Sequence, residues 1–340
     1  MRIKPMRAKL ETGWRLSMRI LLWIVGIVAA LIALAFLLLG DPSIPREDLV
    51  KKYGQAPSQY AELGNGITAH YRDQGNARGP VLVLLHGSNA SLHTWESWVK
   101  LLGDQFRIVT VDLPGHGLTV VPEEYPLSAE GMADFVDLFA AKLALPRFSI
   151  GGNSMGAHVS LRFTIKYPLR AAAVIPIDGG GVIPPNMPEP PAFFRIMSLP
   201  GLREFLRFIP TRPIGEATLK ASFANQVLVT DAMIDRYWEL NREPGIRAAT
   251  RKRFRMGLDY WRSEDRFMRA NLSQIKVPVL VLWGRQDKLI PVAAAEIVKS
   301  ATPGAQLIVY DEGGHILQED LPERSAADAR SFLKMVYSLP

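Results

Sequence analysis

The chain has 340 residues, 48% hydrophobic and 21% charged, which excludes a disordered or fibrous protein and suffices for one large α/β domain with an insertion, or for two small domains. It has no cysteine, which excludes a disulfide scaffold, a cysteine nucleophile, a thiolate metal site and a lipidated cysteine. The net charge of +7 gathers at the N-terminus, where Arg2, Lys4, Arg7, Lys9, Arg15 and Arg19 face only Glu11; the body is close to neutral, so the basic balance is no mark of a nucleic-acid partner.

In chain order, residues 1–19 read as a basic tail and residues 20–40 (ILLWIVGIVAALIALAFLLLG) as a transmembrane signal anchor. That run carries no charge and, at about 1.5 Å per residue, can cross a hydrocarbon core of roughly 30 Å. A cleavable signal peptide has a shorter apolar region of about 7–15 residues. Ala33-Leu34-Ala35 imitates a cleavage site, but Phe36 to Leu39 continue the run. The positive-inside rule then keeps residues 1–19 cytoplasmic and exports everything after Gly40, to the periplasm in a Gram-negative bacterium. The expectation is a single-pass membrane protein. Residues 41–58 (DPSIPREDLVKKYGQAPS) are polar and Pro-rich and read as a linker.

From residue 59 short apolar runs alternate with helix-period segments. Strands are expected at 68–71, 81–85, 106–111, 147–151, 171–177, 277–282 and 306–310. Helices are expected near 95–102 and at 128–143, 155–166, 291–300 and 322–337. This pattern predicts an α/β fold with a mainly parallel sheet flanked by helices, formed by 59–180 and 274–340. Residues 181–273 break the rhythm with a run of prolines and amphipathic pieces near 192–208, 214–226, 230–241 and 246–258, and read as a helical insertion over the sheet.

The chemistry centres on "GGNSMG", where Ser154 stands between Gly152 and Gly156, after a strand (FSI) and before a helix (MGAHVSLRF). A serine at such a strand-to-helix turn projects from the C-terminal edge of the sheet. Its hydroxyl needs a base, and His315 in "DEGGHILQED" follows the last strand. An orienting acid is expected between the two in sequence. Asp287 in "LWGRQDKLIP" is preferred to Asp178 in "IPIDGG", because the order Ser154, Asp287, His315 and the strand-end positions fit together. The oxyanion donors are expected to be the backbone N–H groups of Ser88, in the loop His86-Gly87-Ser88-Asn89-Ala90, and of Met155 at the helix N-terminus. His70, His86 and His158 read as structural; His93 could line the site.

These residues together resemble the α/β-hydrolase superfamily over about 60–340. The resemblance rests on HG at 86–87, "DLPGHG" at 112–117, "GNSMG" at 152–156 and the "WGRQD" and "GGH" pair. It implies the catalytic residues Ser154, Asp287 and His315, a structural role for His116, a helical cap at 181–273, and no metal or organic cofactor. Ser154 disfavours haloalkane dehalogenases and epoxide hydrolases, which use aspartate at the elbow. Meta-cleavage-product hydrolases share the elbow, but their oxyanion loop reads H-G-x-G-P-G where this chain has HGSNAS. The combination looks more like carboxylesterases and small lipases; cofactor-free haloperoxidases also resemble it.

The expected function is therefore cleavage of carboxylic esters of hydrophobic small molecules, lipid-like ones included, through an acyl-enzyme. Carbon–carbon hydrolysis and a non-enzymatic binding role are the alternatives. In the cap, Phe193, Phe194, Phe205 and Phe208 interleave with Arg195, Arg203 and Arg207, and a basic run follows at 251–255. A solvated helix face with its aromatics in the core is preferred there to a face on an anionic leaflet.

Overall fold

A computed structural model of the chain describes residues 18–31, 34, 41–185, 187 and 211–339. The chain divides into Met1–Pro42 with Leu199–Thr211, and Ser43–Ser198 with Arg212–Pro340.

Of the first unit, helix 18–31 is the main described part. Among the described residues no helix is long and apolar enough to cross a membrane. This corrects the expectation of a transmembrane anchor at 20–40, and with it the membrane partner and the single-pass, exported localisation. Residues 1–17, 32–33 and 35–40 of the expected tail and anchor lie outside the described residues. So do 188–210, which hold the expected helical piece 192–208 and the aromatic-basic interleaving.

The second unit carries an eight-stranded sheet in the order β1-β2-β4-β3-β5-β6-β7-β8. The strands are β1 Ser58–Gly64, β2 Ile67–Gly75, β3 Val81–Leu85, β4 Arg107–Val111, β5 Phe148–Asn153, β6 Ala171–Ile177, β7 Leu280–Gly284 and β8 Gln306–Tyr310. β2 pairs antiparallel with β1 and β4; every other pairing is parallel. β1 was not legible from apolar alternation. It forms a hairpin with β2 through Asn65-Gly66, both at positive φ, a pair suited to a two-residue turn.

Among the described residues the α-helices of this unit are α1 Arg46–Tyr53, α2 Glu96–Leu102, α3 Ala129–Lys142, α4 Met155–Lys166, α5 Arg212–Ser222, α6 Asp231–Leu240, α7 Pro244–Arg255, α8 Gly257–Asn271, α9 Ala293–Ala301, α10 Leu317–Asp320 and α11 Pro322–Tyr337. α1 lies where a linker was expected. Glu47 and Asp48 in its first turn and Lys51 and Lys52 in its last complement the helix dipole, and Leu49 buries against Leu118 and Leu240.

Strand residues alternate between two cores because successive side chains point to opposite faces. Val81, Val83 and Leu85 pack with Phe135 and Phe139 of α3 and Val159 and Phe163 of α4. Leu82 and Leu84 pack with Trp95, with Trp98 of α2 and with Phe332 and Leu333 of α11. The chain leaves β3 for β4 on one side and returns to β5 on the other. Ligand crevices in open α/β sheets form at such a reversal, outside the carboxyl ends of the strands. The loops after β3 and β5 are the HGSNA loop and the Ser154 elbow.

Candidate active site

β5 runs up to Asn153, Ser154 turns the chain at φ 56 and ψ −115, and α4 begins at Met155. A non-glycine residue there is strained and persists only where its surroundings hold it. The Ser154 N–H donates to the Ile177 carbonyl at 2.8 Å, and the Ser154 carbonyl accepts from the His158 N–H at 3.1 Å. The glycine spacing is steric. A β-carbon at Gly152 would lie 2.3 Å from the Gly156 carbonyl, and one at Gly156 would lie 2.2 Å from the Leu85 carbonyl oxygen. Ser154 and Met155 keep partial exposure in an otherwise buried turn.

His315 is buried, in the loop between β8 and α10. Its Nδ1 lies 2.7 Å from Asp287 Oδ2. An ionised carboxylate cannot donate, so Nδ1 carries the proton and Nε2 is left with a lone pair. Asp287 Oδ1 accepts from the Leu289 and Ile290 N–H groups at 2.8 and 2.9 Å, which aims the other oxygen at the histidine. Asp178 makes a different contact. Its Oδ1 accepts from the Gly284 N–H at 2.7 Å, and its Oδ2 is buried with no hydrogen-bond partner among the described residues. Burial, and then the charge of Asp287, push the Asp178 carboxyl well above its usual range and so favour its neutral form.

Several supports were invisible in the sequence. Asn153 Nδ2 donates to the His315 carbonyl at 2.8 Å, tying the elbow to the histidine loop. The His315 N–H donates to the Ser222 carbonyl at 2.7 Å, and Asp320 Oδ2 accepts from the Gly314 and Ala224 N–H groups. The end of α5 therefore helps to set the histidine backbone. Only the asparagine of GNSMG offered a signal, because it adjoins the serine.

β7 meets the histidine loop at Gly284, where a β-carbon would lie 2.1 Å from the Gly314 carbonyl oxygen. Gly284→Ala is expected to cost about 3 kcal/mol as overpacking, measured by urea unfolding. It should also separate Asp287 from His315, and so lower turnover more than a stability loss explains.

Gly87 brings the β3 loop against the elbow: a β-carbon there would lie 3.3 Å from Ser154 Cβ. Ser88 follows it in sequence, and the Met155 N–H is the first of α4, where helix geometry leaves N–H groups without intrahelical acceptors.

The other histidines sit apart from this pair. His86 Nδ1 donates to the Gly87 carbonyl at 2.7 Å and its Nε2 accepts from the Leu113 N–H at 3.0 Å; burial keeps it below its usual range and neutral. His116 Nδ1 donates to the Pro114 carbonyl, His158 meets Glu264, and His93 lies between Ser91 and the Tyr53 carbonyl. His70 Nδ1 lies 2.6 Å from Asp112 Oδ2, with both side chains fully buried. Asp112 also accepts from the Leu92 and Leu118 N–H groups. Burial alone would raise the Asp112 carboxyl, but His70 outweighs it and holds the group well below its usual range. A depressed carboxyl stabilises the fold above its unfolded value of about 3.9, and that contribution is lost as pH falls through the folded value. The Tm gap between wild type and Asp112→Asn should thus be widest above about pH 4 and close in stronger acid; a gap independent of pH would remove this account.

A family model described as alpha/beta hydrolase fold matches residues 80–322. The chain is 27% identical over 313 residues to a 2-hydroxy-6-oxononadienedioate/2-hydroxy-6-oxononatrienedioate hydrolase of Burkholderia vietnamiensis, covering 86% of this chain and 99% of that protein. It is 24% identical over 268 residues to a monoacylglycerol lipase of Bos taurus, covering 76% and 77%. Among solved structures it is similar to Cfl2 of Burkholderia cenocepacia, with TM-score 0.72 and 25% identity, over 81% of this chain and 95% of that one.

Proposed function

The chain belongs to the α/β-hydrolase family and is a hydrolase, and from that premise we propose that it cleaves carboxylic esters of largely hydrophobic small molecules through Ser154, His315 and Asp287. The observation that carries this reading is the 2.7 Å His315–Asp287 pair, tied through Asn153 to the strained Ser154 elbow.

In this mechanism Ser154 Oγ attacks the ester carbonyl carbon while His315 Nε2 takes its proton. Asp287 holds the Nδ1 proton and stabilises the imidazolium. The Ser88 and Met155 N–H groups receive the oxyanion. The tetrahedral intermediate then collapses, His315 returns the proton to the departing alkoxide, and the acyl group stays on Ser154. A water, deprotonated by His315, releases the acid by the reverse path.

The test is hydrolysis of p-nitrophenyl esters with acyl chains of two to sixteen carbons by the full chain, with Ser154→Ala alongside. Turnover that disappears in the variant supports the reading, and the preferred length measures the acyl site. The similarity to a dienedioate hydrolase supports a second reading, carbon–carbon hydrolysis. Turnover of a dienoic ketone with no ester hydrolysis would replace the first reading by the second. Absence of both, with no labelling of Ser154 by a serine-directed phosphonate, would leave a binding role.

A further inference from the structure

The cap carries a cation that no carboxylate balances among the described residues. Arg253 lies on α7 and is partly buried. Its guanidinium donates to three neutral oxygens: the Gly115 carbonyl at 2.9 Å, Asn89 Oδ1 at 3.2 Å and Thr250 Oγ1 at 3.0 Å. Among the described residues no carboxylate stands within ion-pair distance of it. The comparable arginines are treated differently: Arg236 pairs with Glu319 at 2.6 Å, Arg107 with Asp73 at 2.6 Å, and Arg162 with Glu130 at 3.2 Å. Burial lowers the Arg253 guanidinium to about 10, which still leaves it charged near neutral pH. A partly desolvated charge with no counter-charge is costly, and an incoming anion offsets that cost.

Its position says which anion. Asn89 is two residues beyond Gly87, and Gly87 stands against Ser154 Cβ. The same Asn89 is held from the cap a second time, by Asn241 Nδ2 donating to its carbonyl at 2.7 Å. The Arg253 head group therefore sits on the loop assigned to the oxyanion. His116 and His86 beside it add no charge: burial and Arg253 itself keep His116 well below its usual range, and burial keeps His86 neutral. The three neutral contacts use three of the five guanidinium donors, two on Nη2 and one on Nη1, and leave the Nε–H and one Nη1–H, each able to donate to a single carboxylate oxygen.

We propose that Arg253 binds a free carboxylate on the substrate, so that the enzyme prefers acidic esters, such as half-esters of dicarboxylic acids, over neutral esters of equal length. This rests on the serine-esterase reading. The competing role is a latch that only fastens α7 to the sheet, as Lys252 does through the Glu123 and Tyr125 carbonyls.

The experiment compares the mono-p-nitrophenyl ester of glutaric acid with the p-nitrophenyl ester of valeric acid, of equal chain length. The readout is the ratio of their kcat/KM values in wild type, Arg253→Gln and Arg253→Lys. The expected ratio exceeds one in wild type, falls at least tenfold in Arg253→Gln and recovers in part in Arg253→Lys. A ratio equal within twofold in wild type and Arg253→Gln identifies a latch and overturns the proposal. If the glutamine variant does not fold, the wild-type ratio decides alone, and a value of one or below overturns it. Failure of the esterase reading looks different, because neither ester is then turned over. In that case glutarate binding, read by calorimetry, must occur in wild type and weaken at least tenfold in Arg253→Gln; no binding to wild type, or equal binding by the variant, overturns the proposal.

Discussion

Replacing Ser154 by alanine is expected to lower kcat on the preferred ester by about 10⁵-fold or more, while the fold and its Tm stay close to wild type. The size follows from what is lost. Without Oγ no acyl-enzyme can form, and only positioning and oxyanion stabilisation remain, worth about 10³–10⁴ over water. The fold should survive because the elbow is held by backbone contacts that alanine keeps: the Ser154 N–H on Ile177, the Ser154 carbonyl on His158, and the close approach of Gly156 to Leu85. The strained φ of 56 is retained as well, and alanine tolerates it no better than serine. A residual rate within tenfold of wild type would place the nucleophile elsewhere. Circular dichroism and a thermal melt on the same sample separate loss of chemistry from loss of structure.

The second large effect is expected at Asp287. Asp287→Asn should reduce kcat by about 10⁴-fold with little change in KM. Its Oδ1 can still accept from the Leu289 and Ile290 N–H groups, so the loop stays in place. The side-chain amide, however, now presents a donor to His315 Nδ1, where a carboxylate accepted at 2.7 Å. His315 must then carry its proton on Nε2, the atom that has to take the proton of Ser154. Asp178→Asn is the informative companion. Burial already pushes that carboxyl well above its usual range, towards the neutral form, and its bond to the Gly284 N–H needs only an accepting oxygen, which asparagine supplies. Its loss of activity should be far smaller. If the two substitutions cost the same, or if Asp178→Asn costs more, the acid has been assigned to the wrong strand end.

Some expectations had to give way to the structure. The apolar run at 20–40 suggested a membrane span because it is long and carries no charge. Among the described residues no helix is long and apolar enough to cross a membrane. The linker at 41–58 holds α1, since Leu49 finds partners in Leu118 and Leu240 that lie far off in sequence. In the insertion, the amphipathic pieces near 214–226, 230–241 and 246–258 correspond to α5, α6 and α7, while α8 was not separated from its neighbours.

What the sequence determined by itself is local or ordered along the chain. Alternating apolar runs and helix-period segments specify a mainly parallel sheet between two helical layers, because strand and helix periods are properties of neighbouring residues. The glycine spacing around Ser154 specifies a tight strand-to-helix turn, since any larger residue at 152 or 156 would meet backbone. What only the tertiary structure decided depends on distance between residues far apart in sequence. Asp287 meets His315 and Asp178 does not; Asn153 and Ser222 hold the histidine backbone. Arg253 lies in a dense basic run, yet its guanidinium turns onto Gly115 and Asn89 with no carboxylate in ion-pair distance among the described residues. Charge can be counted along a sequence, but whether a charge is compensated depends on which oxygens the folded chain brings to it.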